Sequence, residues 1–411
     1  MTDTDYDILN DKIKGCMFGS AIGDALGLIT ENMRRSEIKK TYDTIVFPAP
    51  TVIKGILPGD WTDETDTLIV SMETLKECLE NGRLNNFEYA KFDDPDIKSS
   101  RLRAEQSNNS YKTINLLKPD KLFAYKLRQW KTEGFPALGD TVGKGCEGFI
   151  IQVVSRMHYS RNPVGVAKYM WQKNNKPSSN SCLNRILILG AIDTYPRVHR
   201  LAERFCLVTH PDPRCVAACF VIAYLSYTFM HMNIEVDKIE TVIDNAIKNA
   251  RKTLQNKKHI EQLDKYAYSS LEGLKLDKED ISNFVFRAMG AAIWGLRKYS
   301  RFSKSKNIIE RIVLNIILEG GDSDCNASLA CGLIGAYVGY KQLPQHWIKK
   351  LKHKKWLHEC VDKFCVELEK SKDVDSDCDL SDSEDNTKKS KHYEYDSDLD
   401  QIDDSESDES L

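Results

Sequence analysis

The chain has no uninterrupted apolar run of about 18 residues, the length a helix needs to cross a bilayer, so no membrane span is expected. Its first residues, MTDTDYDILNDK, hold acids but neither the basic start nor the apolar core of a leader, so no secretory signal is expected. None of its 12 cysteines stands in a CxxC pair, and Cys215 and Cys219 are the closest two. That scatter excludes a disulfide scaffold and fits buried thiols in a reducing compartment better than zinc or disulfide partners. The expected location is therefore cytoplasmic or nuclear. Strand-like alternation between hairpin turns is scarce, and no repeat of fixed period is visible.

What is present is ample apolar material with a divided charge. At 411 residues, with 41% apolar and 29% charged, the chain is long enough to bury a sizeable core. Its 58 basic and 61 acidic residues look balanced. Yet 16 of those acids and only 4 of the bases lie in residues 371–411, leaving 54 bases and 45 acids before them. A body near +9 thus precedes a tail near −12.

Helical spacing dominates that body. TDTLIVSMETLKECLENG repeats apolar residues every three or four positions and ends in Asn81-Gly82, a natural C-cap. CVAACFVIAYLSYTFMHM is apolar on nearly every side, as suits a helix in the middle of a large core. FVFRAMGAAIWGLRKY and NIIERIVLNIILEGG continue the pattern. The expected fold is all-α: a single large helical domain over residues 1–370, with residues 93–120 as a polar insertion or long loop. Residues 371–411, rich in Asp and Ser, are expected to be a disordered acidic tail, because they hold too little apolar surface to offset ordering. The DVDSDCDLSDSE stretch resembles a calcium loop but has Cys378 where that loop needs glycine.

Three stretches concentrate acids among small residues. In GSAIGDALGLITE, Asp24 is an acid within an apolar run and needs a partner if buried. In GDWTDETDTL, Thr62 with Asp63, Glu64 and Asp66 reads either as a capped helix start or as oxygen ligands for a hard cation. In EGGDSDCNASLACGLIGAYVG, Asp322 and Asp324 open another small-residue helix. Two acidic helix starts meeting in one core would repel unless cations lay between them.

These stretches, in this order, together with GDTVGKG at 139–145, NSCLNR at 180–185 and THPDP at 209–213, resemble the ADP-ribosylglycohydrolase (ADP-ribosyl hydrolase) family over roughly residues 10–360. The resemblance implies an all-α domain with a central cleft for two Mg2+ ions, Mn2+ being possible, and cleavage of the bond at C1″ of ADP-ribose. It implies metal ligation by Thr62, Asp63 and Glu64 on one side and by Asp322, Asp324 and Cys325 on the other. Glu31 matches the family's acid/base glutamate, Asn180 and Ser181 a diphosphate loop, Gly143 and Gly145 a glycine-rich loop, and His210 a histidine of the ribose pocket. Carboxylates stabilising an oxocarbenium-like state, and a metal acidifying a water, make that chemistry sensible.

The chain departs from the family pattern at Glu64 for aspartate, Cys325 for threonine, Ser181 for glycine and Asn184 for an apolar residue. Cys325 introduces a soft donor where magnesium wants oxygen. The leading expectation is a metal-dependent hydrolase releasing ADP-ribose from a protein side chain or small acceptor. The alternative is a catalytically weakened ADP-ribose-binding or interaction protein on the same scaffold. The lysines at 349, 350, 352, 354 and 355, bracketed by Trp347 and Trp356, read as a solvated helix face rather than a nucleic-acid site. The acidic tail is expected to engage a basic partner or the basic body.

Overall fold

The computed structural model describes residues 3–84, 118–145 and 148–378. The chain divides into a unit of residues 1–372 and one of residues 373–411, and the core and the cavity described below belong to the first. Most of the expected insertion, residues 93–117, and most of the acidic tail lie outside the described residues. Pro119 and Asp120, placed at the insertion's end, instead open a helix, and the last helix runs on to Cys378.

Among the described residues there are no strands, and the few ladder contacts are isolated bridges such as Arg34 with Gly320 and Ser179 with Phe284. The α-helices of seven residues or more begin with α1 (Asp3–Gly27), α2 (Arg35–Thr41), α3 (Asp63–Glu80), α4 (Pro119–Glu133) and α5 (Gly148–Val154). They continue with α6 (Pro163–Lys173), α7 (Tyr195–Leu207), α8 (Pro213–His231), α9 (Ile239–Arg251) and α10 (Lys257–Ala267). The last four are α11 (Val285–Phe302), α12 (Ile308–Ile317), α13 (Ser323–Val338) and α14 (Lys354–Cys378). The fold is all-α, and each apolar-periodic stretch of the sequence lies on one of these helices. Helix α8 has the length and apolarity to cross a membrane, but it is wrapped by its neighbours as the central core helix.

Local chemistry sets the helix ends. Thr62 caps α3, accepting from the Glu64 N–H at 3.4 Å, and three acids follow in the first turn where the helix dipole favours them. At the other end Gly82 takes φ +61°, and Arg83 N–H closes back on the Cys78 carbonyl at 2.8 Å. The amphipathic α9 buries Val242, Ile243, Ala246, Ile247 and Ala250 along one stripe and leaves its other face wet.

The pairing of α1 with α13 organises the molecule. Gly15, Gly19, Gly23 and Gly27 recur every four residues along one face of α1. A Cβ added at each would strike backbone of Gly335, Cys331, Ala327 and Ser323–Asp324 in turn, so only glycine permits this approach. Ser20 and Ser328 share a 2.6 Å hydrogen bond across the seam. The antiparallel match brings the end of α1, with Asp24, to the start of α13, with Asp322 and Asp324.

Candidate active site

Asp24 is fully buried, and its carboxylate accepts from Thr62 N–H at 3.1 Å, Thr62 Oγ1 at 2.8 Å, Thr65 N–H at 2.9 Å and Thr65 Oγ1 at 2.6 Å. It ties the free N–H groups of α3 to α1 from outside the helix. Burial pushes its carboxyl up to about 6, a rise that these four bonds oppose. Asp66 has a similar anchoring role further along α3, accepting from Trp61 Nε1 at 2.8 Å and Trp130 Nε1 at 3.0 Å. Both tryptophans are thus core residues with their N–H groups paired.

The second half of the site is pinned by two glycines. Gly320 and Gly321 adopt φ +76° and +69°, and Gly321 exchanges hydrogen bonds with Asn32 at 2.7 Å and Met33 at 2.9 Å. A Cβ at either would meet a neighbouring carbonyl. This turn carries Asp322 to the face of α3, where Asn180 Nδ2 donates to its Oδ2 at 2.8 Å. Thr62 Oγ1 and Asp324 Oδ2 stand 3.5 Å apart, so the two acidic helix starts do meet.

Between them lies a cavity of about 490 Å³. Of the residues singled out from the sequence, Glu31, Thr62, Asp63, Glu64, Gly145, Ser181, Asp322 and Asp324 line it. Asn180 stands just behind, through its bond to Asp322. Gly143 does not line the cavity; its carbonyl accepts from Lys131 Nζ at 2.7 Å. His210 does not line it either. It is fully buried, with Ser179 Oγ 2.8 Å from Nε2 and Thr209 Oγ1 2.7 Å from Nδ1. Cys325 is also fully buried, away from the cavity wall.

Lys54, Lys144, Glu279 and Asn283 line the cavity and were not singled out in the sequence. Lys54 Nζ pairs with Glu31 Oε2 at 2.7 Å, while Asn32 Nδ2 donates to Glu31 Oε1 at 3.0 Å. Only the Lys54-Gly55 turn, with φ +49° and +80°, marks that lysine locally.

The acids perturb one another. Burial, then Asp63 and Asp322, hold the Glu64 carboxyl well above its ordinary range. Burial, then Glu31 and Asp322, do the same to Asp324. Three of the sequence departures converge here: Asn184 Nδ2 donates to Glu64 Oε2 at 2.6 Å and lies 3.5 Å from Cys325 Sγ. The amide holds the longer acid, and the Cys325 thiol also reaches that carboxylate. Burial and the nearby acids push the Cys325 thiol far up, so it stays neutral. The hydroxyl and carboxylates on the wall form an all-oxygen donor set suited to a hard divalent cation, and the buried Oδ1 atoms of Asn180 and Asn184 have no hydrogen-bond donor.

Comparison with known proteins agrees with the all-α fold and identifies the family. An ADP-ribosylglycohydrolase family profile matches residues 5–374. An uncharacterized protein of Archaeoglobus fulgidus is 22% identical over 366 residues, covering 87% of this chain and 96% of its own. A protein of Pseudomonas putida named ADP-ribosylarginine hydrolase Tri1 is 24% identical over 348 residues, covering 83% of this chain and 74% of its own. Its namesake in Serratia proteamaculans is 23% identical over 355 residues, covering 83% and 75%. A solved structure described as an ADP-ribosylglycohydrolase-related protein complex shares the fold at TM-score 0.59 and 18% identity, covering 88% of this chain and 99% of its own. The chain belongs to the ADP-ribosylglycohydrolase family.

Proposed function

We propose that the chain is a hydrolase cutting the C1″ bond of ADP-ribose joined to a protein side chain, with arginine the first acceptor to test. We propose further that Thr62, Asp63, Glu64, Asp322 and Asp324 hold two divalent cations, Mg2+ or Mn2+. Family membership supports the hydrolase class, and two relatives named ADP-ribosylarginine hydrolase support the acceptor.

The observation that carries the reading is the charge of the cavity. Among the described residues that line it, Glu31, Asp63, Glu64, Glu279, Asp322 and Asp324 face only Lys54 and Lys144. A diphosphate would be repelled from that wall, and cations reverse the balance. Bound there, the ions would supply a template for the ribose hydroxyls and an acidified water.

The chain's own residues supply the rest. Glu31, held by Lys54 and Asn32 on separate oxygens, is oriented as the acid/base group for the departing side chain. Gly145, at φ +69°, packs its backbone where a Cβ would meet Asp63, leaving an N–H-bearing loop at the cavity edge. Ser181 and Asn283 add polar wall on the opposite side.

The test is calorimetric binding of ADP-ribose with Mg2+ and with chelator, beside turnover by Glu31→Gln. Cation-dependent binding, retained while release is lost in Glu31→Gln, supports the reading; cation-independent binding contradicts the metal arrangement. Cys325, a neutral thiol behind Glu64, favours a second reading in which the site binds ADP-ribose and turns it over poorly. Under that reading Cys325→Thr raises activity with Mg2+; no gain would dismiss it.

A further inference from the structure

Cysteines dispersed in the sequence meet at one point in the fold, outside the carboxylate cavity. The Sγ atoms of Cys182, Cys206 and Cys219 lie within 4.8 Å of one another. Cys215 lies outside that group but precedes Cys219 by four residues, one turn of α8, and its thiol shares the Ser179 carbonyl with that of Cys182. All four are fully buried, and three chain segments deliver them: the stretch before residue 184, the end of α7 and the start of α8. We propose that Cys182, Cys206, Cys215 and Cys219 form a tetrathiolate site for one zinc ion.

Hydrogen bonding does not account for the cluster. Cys206 Sγ approaches the His210 carbonyl at 3.2 Å and Cys215 Sγ the Ser179 carbonyl at 3.4 Å, while Cys182 and Cys219 reach carbonyls only at 3.7 and 3.8 Å. Thiols are weak donors, and such contacts do not explain four of them together. Zinc–sulfur bonds of about 2.3 Å in a tetrahedron set sulfurs about 3.8 Å apart, so Cys182, Cys206 and Cys219 need a contraction of at most about 1 Å and Cys215 a turn of its side chain towards them.

Charge provides an independent argument. Arg185 is fully buried beside the cluster, donating through Nη2 to Thr209 Oγ1 and the Cys206 carbonyl. Its Nε and Nη1 have no hydrogen-bond partner, its guanidinium lies 5.3 Å from the Phe123 ring centre, and it pairs with no carboxylate among the described residues. A guanidinium does not deprotonate, so a buried one requires negative charge nearby. Four neutral thiols supply none, nor would a disulfide, and the Phe123 ring offers only a partial counterweight. Zinc held by four thiolates carries two net negative charges, and Arg185 balances one of them.

On binding, each of the four S–H groups gives its proton to solvent as a zinc–sulfur bond forms, with no change of oxidation state. The ion would clamp the segment carrying Ser181, a cavity residue, to α7 and α8. The test is zinc content of the full chain by mass spectrometry after dialysis against chelator, in wild type, Asp324→Ala and Cys215→Ser/Cys219→Ser. Asp324→Ala separates this site from the carboxylate cavity. One zinc per chain in wild type and Asp324→Ala, with at least a tenfold loss in the double cysteine variant, supports the proposal. Should the cysteine variant fail to fold, wild type refolded with Co2+ must show thiolate charge-transfer and tetrahedral d–d bands. Twelve reactive thiols on unfolding, with neither zinc nor those bands, would overturn it, as would an intact mass lighter by two hydrogens or zinc lost in Asp324→Ala alone.

Discussion

Gly23→Ala separates two opposing effects of one methyl group. In an exposed helix interior the exchange stabilises by about 1 kcal/mol through propensity. At Gly23 the new Cβ would strike the Ala327 carbonyl and lie 2.7 Å from the Ser328 nitrogen, all backbone that cannot rotate away. Restoring ordinary contact of about 3.5 Å requires α1 and α13 to separate by more than about 0.8 Å, since the Ala327 carbonyl lies nearer than the Ser328 nitrogen. Overpacking costs about 1–3 kcal/mol, and a backbone obstacle places this case at the upper end, so the expected net loss is about 2 kcal/mol. Because Asp24 follows directly and Asp324 heads the facing helix, the same displacement spreads the cavity, and ADP-ribose affinity should fall more than tenfold. Gly295→Ala in α11 is the control: its Cβ would meet only side chains, at 3.3 Å and beyond, and should be neutral or stabilising. Urea unfolding of the three proteins reads both signs. A Gly23→Ala chain as stable as wild type would refute the close-packed seam.

Asn184→Leu removes the amide that holds Glu64, and a buried bond to a charged group is worth about 1.5–3 kcal/mol; the thermal shift produced by Mg2+ should shrink, and an unchanged shift would show that Glu64 needs no support. Lys54→Met breaks the partly exposed pair with Glu31, so stability should change by less than about 1 kcal/mol while turnover falls at least tenfold; unaltered kinetics would remove Lys54 from the site. His199, stacked on Phe220 with ring centres 3.8 Å apart, has its pKa lowered by burial. The unfolded chain therefore takes up that proton first, and stability is lost as pH falls below about 6.5. His199→Phe should reduce this acid loss in denaturation series from pH 7 to 5, and an identical pH profile would contradict it.

The helices were legible because the core is large: α8 reads as apolar on every side and α9 as a stripe, and both patterns follow directly from burial. The acidic helix starts at Thr62 and Asp322 were legible because small residues and paired acids are rare together. Asp24 was visible as an anomaly, but its service as an anchor for Thr62 and Thr65 depends on the glycine seam, which only the facing backbone of α13 explains. Lys54 and Glu279 carried no local pattern; they reach the cavity through tertiary placement. His210 is the converse case, a residue matched by motif whose ring lies in the core between Ser179 and Thr209, off the cavity wall. The cysteine cluster was hidden by the 37 positions that separate Cys182 from Cys219, a distance spanned by α7 and the turn into α8.

The most direct test of the functional reading is release of free ADP-ribose from an ADP-ribosylated arginine peptide, assayed with Mg2+, with Mn2+ and with chelator. Release that requires the cation and is lost in Asp322→Ala is the expected result. Release undiminished by chelator, or none under any condition while ADP-ribose still binds, would contradict a metal-dependent hydrolase.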